Sequence, residues 1–426
     1  MQAAHTSPGV FSTLEGSAIG ERFRELTGFL TSTRKFWEPR AFILDELPWE
    51  EEFGALAAWL RGLAPEEVDR LSRGVMTGTS LAGFSGVPRE LTGFHDESLG
   101  LTSIGRVGGA EVRELLRRPR GELGRRVSAR KWRQVEYFAS AVMELLPPGV
   151  LQVVDWCAGK GCLGRTVSYL SGLPALLLER REALCAQALD AARRAGACCS
   201  FAPLDVYDDN AGLLLGEDAA VVGLHACGSL TDELIERCVS RRVRSLAVSS
   251  CCYNKLHEGE LYRPLSRRGA NSPLALDRHS LRLACQDEWV ASPRERDSRR
   301  REVAWRLGLD LLVRKGMPSD RYRTQGALPR RYFDLPFGEF CRRVGRECSF
   351  ELPGRWSEHL AEKRGRERAR QVRGLGLFRS IFRRPLELWI TLERALFIQE
   401  RGRAARVGVF CPPSVTPRNL LISSVS

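Results

Sequence analysis

Residues 153–164, VVDWCAGKGCLG, constrain the fold more than any other stretch of the chain. An apolar run, Gln152–Asp155, leads into a turn where Gly159, Gly161 and Gly164 satisfy a GxGxxG spacing. Leu163, Val167 and Leu170 then mark one face of a helix. A strand, a glycine-rich turn and a helix in that order form the first βα unit of a nucleotide-binding sheet. Four more apolar strand candidates follow: Ala175–Glu179, Cys199–Leu204, Ala219–His225 and Ser245–Ser250. Leu184, Ala188 and Ala191 line the helix after the second strand, and Gly196 supplies its stop. Strands alternating with helices of this length imply βαβ units and a parallel sheet. A helix over Pro385–Arg401 and two strands, Arg406–Cys411 and Asn419–Ser423, complete the pattern. The expectation is an α/β, Rossmann-like, mostly parallel seven-stranded sheet with an antiparallel edge hairpin.

Around this core the chain divides by composition. Residues 1–126 read as a helical N-terminal region, 127–257 as the α/β core, 258–380 as an Arg-rich, mostly helical insertion, and 381–426 as the last helix and edge hairpin. Within the first region, Phe53, Leu56 and Leu60 recur at helical spacing, and Pro65 opens a second helix. Residues 74–109 are Gly-rich and read as loops, and Glu111–Arg118 as a short basic helix. A chain of 426 residues has room for two or three domains.

The acids at the strand ends select the nucleotide. Asp155 sits four residues before the first glycine of the turn, where a carboxylate repels a pyrophosphate. The same carboxylate attracts the sulfonium and ammonium of S-adenosylmethionine. Glu179 ends the second strand, where it can accept both ribose hydroxyls, and Asp205 follows the third, within reach of an adenine amino group. A Glu179-like acid also serves NAD, so the preference for S-adenosylmethionine rests on Asp155 and Asp205. Cys157, Ala158, Gly159, Gly161 and Val206 complete the expected cofactor contacts, with His225 at the methyl end. The competing reading is that these acids merely end strands and cap helices.

Chemistry in an open parallel sheet sits at the carboxyl ends of the strands. Strand four ends in LHACG and strand five in SSCCYN. His225 is the candidate for orienting or deprotonating an acceptor, because an unperturbed imidazole titrates near neutrality; a histidine bonded to backbone is the alternative. Cys227 invites a covalent thiolate role. Cys252 and its neighbour Cys251 read as candidates at the acceptor or as packing residues, and Tyr253 as a stacking platform or a core aromatic. Ser229 and Asp232 have the spacing of a capping box for the next helix.

DWCAGKGCLG, LHACGSLTD and SSCCYNKL, in this order and spacing, resemble class I S-adenosylmethionine-dependent methyltransferase domains. The group includes the C-terminal domain of glutathione S-transferase C-terminal domain-containing proteins, related methyltransferase-like proteins and, more distantly, enzymes that methylate a ribose in the tRNA acceptor stem. The resemblance covers about residues 128–257 and the end of the chain from Pro385 to Ser423. It implies the class I methyltransferase fold and S-adenosylmethionine as cofactor, and leaves the substrate open. ARKWRQVEYF resembles the family's basic lead-in helix, which implies that Lys131, Arg133 and Gln134 face the site.

The formal net charge is +13, and 59 of the 65 basic residues are arginine. The excess concentrates in residues 101–135, with a balance of +7, and residues 290–380, with +11. In the second segment Arg294, Arg296, Arg299, Arg300 and Arg301 are followed by Tyr322, Tyr332, Phe333, Phe337 and Trp356 among further arginines. Arginine interleaved with aromatics suits phosphate neutralisation plus base stacking, so RNA is the expected macromolecular partner. A lid with solvated charges is the alternative, and Glu358–Arg373 alternates its charges as a solvated helix does. Met1–Phe11 lacks the pattern of a secretory signal, and no run reaches the ~20 apolar residues of a membrane span. Thirteen cysteines then suggest reduced thiols in the cytoplasm. No CxxC pair occurs between Cys157 and Cys252, so no metal site is expected. The functional expectation is a methyltransferase acting on RNA or a protein side chain. Behind it stand a catalytically silent binding module and, less compatible with Asp155, a nicotinamide-dependent oxidoreductase.

Overall fold

The computed structural model describes residues 12–77, 86–108, 121–285, 292–314 and 322–426. Loop residues 78–85 and the predicted helix Glu111–Arg118 lie outside the described residues. The chain forms two compact units. One comprises Met1–Thr31, Leu99–Gln286 and Arg383–Ser426, and the other Ser32–Ser98 and Asp287–Phe382.

The first unit is built on a sheet of β1 (Leu14–Glu15), β2 (Gln152–Trp156), β3 (Ala175–Leu178), β4 (Cys199–Ala202), β5 (Ala219–Leu224), β6 (Ser245–Ser249), β7 (Arg406–Val409) and β8 (Leu420–Val425). Their order is β1-β7-β8-β6-β5-β2-β3-β4. β2, β3, β4, β5 and β6 pair in parallel, and β8 pairs antiparallel with both β6 and β7. All seven expected strands form. The eighth, two-residue β1 extends the edge beyond β7 and is too short to leave a periodic signal. The strand order reverses at β2, between β3 and β5, and this opens the crevice where open α/β sheets bind ligands.

Burial explains why these segments are strands. Val153, Val154, Leu177, Val221 and Val222 are almost fully enclosed between helices, so both faces are apolar. One face packs against Phe138, Ala141, Val142, Leu163, Val167 and Phe410. The helix Glu182–Ala195 stops at Gly196, whose N–H turns back to Ala192 and Arg193. The last helix, Arg383–Glu400, is buried over nearly its whole length, including Glu387, Glu393 and Arg394.

One loop expectation is corrected. Arg89–Thr102 is a helix, because Leu91, His95, Ser98 and Thr102 recur at helical spacing and are buried. Its glycines and polar residues hid that stripe.

The second unit is helical. Pro293–Arg314, Phe337–Glu347 and Glu358–Ser380 enclose Trp305, Leu309, Tyr332, Phe333, Phe337, Phe340 and Val344. Pro293–Arg314 packs on Glu358–Ser380 with Gly308 against Gly365, where a Cβ on Gly365 would lie 2.7 Å from the Gly308 Cα. Phe36, Trp49, Phe378 and Phe382 form a second aromatic cluster, with Trp49 and Phe378 centroids 5.1 Å apart. The aromatics expected to stack on bases are therefore core or core-flanking residues: Tyr332, Phe333 and Phe337 are buried, and Tyr322 and Trp356 pack against them. The helix Glu358–Ser380 is not wholly solvated either, since buried Arg368 donates to the carbonyls of Ala41 and Leu44. Among the described residues, no helix is long and apolar enough to cross a membrane.

Candidate functional site

The glycine turn closes around Asp155. Its side chain is only 2% exposed, and its Oδ2 accepts the Gly164 N–H at 2.8 Å. Gly164 has no room for a side chain, because a Cβ would lie 2.3 Å from Leu177 and 2.9 Å from Asp155. Glycine therefore lets the helix Cys162–Ser171 pack directly on the strand. Burial pushes the Asp155 carboxyl up to about 7, against the pull of the Gly164 N–H and the charges of Lys131 and Arg165. Arg165 is itself buried and donates to the carbonyls of Leu123, at 2.7 Å and 3.1 Å, and Lys160, at 2.7 Å. It fastens the turn to the segment ahead of the sheet.

Glu179 leaves β3 pointing at the same turn. Its Oε2 accepts the Gly159 N–H at 3.0 Å, and its Oε1 accepts the Arg181 side chain at 2.8 Å. Burial raises this carboxyl, but the Arg181 and Gly159 hydrogen bonds outweigh it and hold Glu179 below its ordinary value. Oε1 also accepts the Arg181 N–H at 3.3 Å, while Oε2 keeps a second lone pair for a ligand hydroxyl. Asp205 is half-exposed beyond β4, where it accepts the Tyr207 N–H at 3.2 Å and lies 3.5 Å from Arg180. Val206 beside it is buried. The Ala158 N–H pairs with the Leu178 carbonyl at 2.9 Å, joining the ends of β2 and β3.

Two strand ends carry strained backbone. Cys157 after β2 and His225 after β5 have φ of 59° and 71°. Non-glycine residues adopt this region rarely and at a cost, and such positions cluster at functional sites. The His225 N–H pairs with the Ser249 carbonyl at 3.0 Å, while its Nε2 lies 2.7 Å from Gln134 Oε1. Gln134 is buried on the helix Ala129–Leu145, so the lead-in helix does reach the strand ends. Burial, with Lys131 and Arg418 nearby, pulls His225 down to about 4, so its imidazole is neutral at pH 7. An imidazole lowered in this way is a weaker base than an unperturbed one. His225 is better suited to orienting an acceptor than to deprotonating it.

Cys227, Cys251 and Cys252 converge. Cys227 and Cys251 sulfurs lie 2.7 Å apart, Cys251 and Cys252 sulfurs 3.6 Å apart, and all three within 4.8 Å. Hydrogen bonds from Cys227 and Cys251 draw Cys252 well below the ordinary thiol value, with Lys255 and Arg418 adding to the pull. The Cys251 hydrogen bond lowers Cys227, but Cys252 and burial raise it further, to about 11. The cluster thus lowers Cys252 and raises Cys227, which does not favour a thiolate at Cys227. Burial, with Asp155 and Glu179 nearby, pushes Cys157 up to about 12. The expectation of no metal-ligand set followed from linear spacing; the thiols come instead from two different strand ends.

Tyr253 is 2% exposed, and its hydroxyl donates to Glu387 at 3.4 Å, so it offers no face for stacking. The expected capping box does not form. Ser229 Oγ accepts the His257 N–H at 3.0 Å, and Asp232 pairs with Arg394 at 2.7 Å. Arg394 also donates to Ser250 Oγ at 3.0 Å and to the Gly228 carbonyl at 3.4 Å, tying together the loops after β5 and β6. Gly228 is required there, because its φ is +60° and a Cβ would lie 1.9 Å from the Lys255 carbonyl oxygen.

Residues 130–259, which hold every group at the ends of β2 to β6, match the family model of a methyltransferase domain. Over 136 residues it is 28% identical to the glutathione S-transferase C-terminal domain-containing protein of Xenopus laevis, covering 31% of this chain and 21% of that protein. A homologue from Drosophila pseudoobscura pseudoobscura is 32% identical over 140 residues, which is 33% of this chain and 23% of the fly protein. The matches thus span less than a quarter of these relatives' length. Among solved structures, a geranyl diphosphate methyltransferase in complex with GPP and sinefungin has a TM-score of 0.26 at 16% identity, covering 48% of this chain and 67% of that one. Coclaurine N-methyltransferase bound to N-methylheliamine and SAH has a TM-score of 0.28 at 10% identity, covering 88% and 98%.

Sequence reasoning missed two residues that shape the strand ends. Arg165 resembled one more arginine in an Arg-rich chain, and Arg394 lay far away in an amphipathic helix. Their only sequence signal was a charge placed among buried apolar neighbours.

Proposed function

We propose that the methyltransferase domain binds S-adenosylmethionine and transfers its methyl group to an acceptor at the ends of β5 and β6. The observation that carries this reading is the placement of Asp155, Glu179 and Asp205 at successive strand ends around a glycine turn. These residues fit a cationic nucleoside: a buried carboxylate beside the turn, a hydroxyl acceptor on β3 and a half-exposed acid beyond β4. When bound, S-adenosylmethionine supplies a methyl group on a sulfonium leaving group. Asp155 holds the ammonium and supports the turn through Gly164. Glu179 accepts the ribose hydroxyls, Asp205 the adenine amino group, and Val206 forms an apolar wall. Cys157, Ala158, Gly159 and Gly161 line the approach with backbone. His225, oriented by Gln134, faces the acceptor, with Cys227 and Cys252 beside it. Holding the reacting atoms in line supplies most of the acceleration.

RNA is the acceptor class to test first, because Arg125, Arg126, Arg130, Lys131 and Arg133 are exposed ahead of β2. Phosphate contact rather than base stacking is the expected basis of binding, given the buried aromatics of the helical unit. The test is calorimetry with S-adenosylmethionine, followed by transfer of labelled methyl groups to fractionated RNA and protein. Binding by the parent chain that Asp155→Asn weakens supports the reading, and NADH binding without a response to S-adenosylmethionine overturns it. RNA binding should weaken steeply with salt. Cofactor binding without label in any fraction favours a catalytically silent module.

A further inference from the structure

We propose that Cys227, Cys251 and Cys252 form a binding site for a thiophilic metal ion, with zinc(II) as the probe, leaving one coordination position exchangeable. In a regular strand, adjacent side chains point to opposite faces and cannot share a ligand. Cys251 and Cys252 lie just past the end of β6, and there the chain brings their sulfurs to 3.6 Å. A tetrahedral zinc–thiolate site with bonds of about 2.3 Å separates its sulfurs by about 3.7 Å. The adjacent pair already has that spacing. Cys227 arrives from the end of β5 and completes a set of three within 4.8 Å.

Its sulfur is 2.7 Å from that of Cys251, so coordination requires these two to separate by about 1 Å, a small side-chain rotation. No carboxylate belongs to the set, which disfavours calcium and magnesium and favours zinc, copper(I) or iron. Three thiolates on zinc(II) carry one net negative charge, and Lys255 and Arg418 lie close enough to offset it. Cys251 is buried while Cys227 and Cys252 are half-exposed, so a fourth ligand, water or an acceptor heteroatom, can enter from their side. Binding releases the thiol protons to solvent and requires no redox partner.

The site stands whether or not the domain transfers methyl groups, so the test reads metal alone. The full chain, reduced and loaded with zinc(II), should retain one ion per chain after desalting. Cobalt(II) in its place should give thiolate-to-metal charge-transfer absorption. Cys227→Ser and Cys252→Ser should each weaken zinc binding by at least about 100-fold. Cys252→His, which restores a ligand atom, should recover part of it, and Cys198→Ser, at an exposed thiol outside the set, should bind as the parent does. Circular dichroism and cooperative unfolding establish that each variant is folded. Zinc retained equally by all variants, a cobalt complex without sulfur absorption, or a Cys227–Cys251 disulfide forming in preference to zinc binding overturns the proposal.

Discussion

At the ends of β2 and β3 the polar groups are carboxylates held by backbone N–H donors, whereas at the ends of β5 and β6 they are thiols and an uncharged imidazole. The first pair presents carboxylates suited to a cation, Glu179 held below its ordinary value and Asp155 pushed up to about 7. The second presents soft, polarisable atoms whose positions depend on side chains from elsewhere in the chain: Gln134 behind His225, and Arg394 behind Gly228 and Ser250. One side of the crevice is thus organised by local sequence and the other by long-range contacts. That contrast predicts that substitutions on the two sides fail differently.

The largest effect belongs to the long-range side. Arg394→Met leaves the Asp232 carboxylate buried without its partner and should cost about 3–5 kcal/mol, read by urea unfolding. A loss below about 1 kcal/mol would mean that Arg394 is not what holds the loops together.

On the local side, Asp155→Asn should weaken S-adenosylmethionine binding by about 30- to 100-fold while the chain stays folded. Its pH dependence is a second readout. The carboxyl titrates near 7 in the fold and near its ordinary 3.8 when unfolded, so the native state binds the extra proton more tightly. The stability this contributes is complete below about pH 4 and lost as pH rises to 7. The non-titrating variant should therefore gain stability relative to the parent across that window and level off above it. Cofactor affinity of the parent should fall about tenfold per pH unit below 7, because the ionised form binds. A parent and variant with parallel stability profiles would refute the assignment.

Gln134→Leu separates positioning from binding. Calorimetry should find the cofactor Kd unchanged within about twofold, while kcat falls about tenfold with KM little moved, because the imidazole loses its orienting partner. An equal fall in cofactor affinity would place Gln134 on the wrong side of the comparison. The smallest effect is at Tyr253→Phe, which should cost about 1 kcal/mol for the lost Glu387 contact and leave cofactor binding and turnover intact.

The same contrast accounts for what the sequence made legible. The strands, the glycine turn and the acids could be located because each is a short-range pattern: apolar runs, three glycines at fixed spacing, and a carboxylate where a strand stops. The thiol cluster could not, because Cys227 is separated from Cys251 by a helix and a strand, and only the parallel pairing of β5 with β6 brings their ends together. Asp232 was misread, and Tyr253 left open between a stacking platform and a core aromatic, for a related reason. Each looked outward or local in sequence, yet each is committed to the last helix through Glu387 or Arg394. The aromatics of the insertion were assigned to RNA on composition, whereas a helical unit of that size needs them for its own core.

The bonds from Arg394 to Gly228, Ser250 and Asp232 also set an order of assembly during synthesis. The glycine turn and its acids lie within the first half of the chain and can associate as that half leaves the ribosome. On the thiol side β5 can already pair with β6, but the bonds that tie their loops together need residue 394. A nascent chain paused before its last helix would carry the glycine turn and its acids beside loops that still lack their Arg394 bonds.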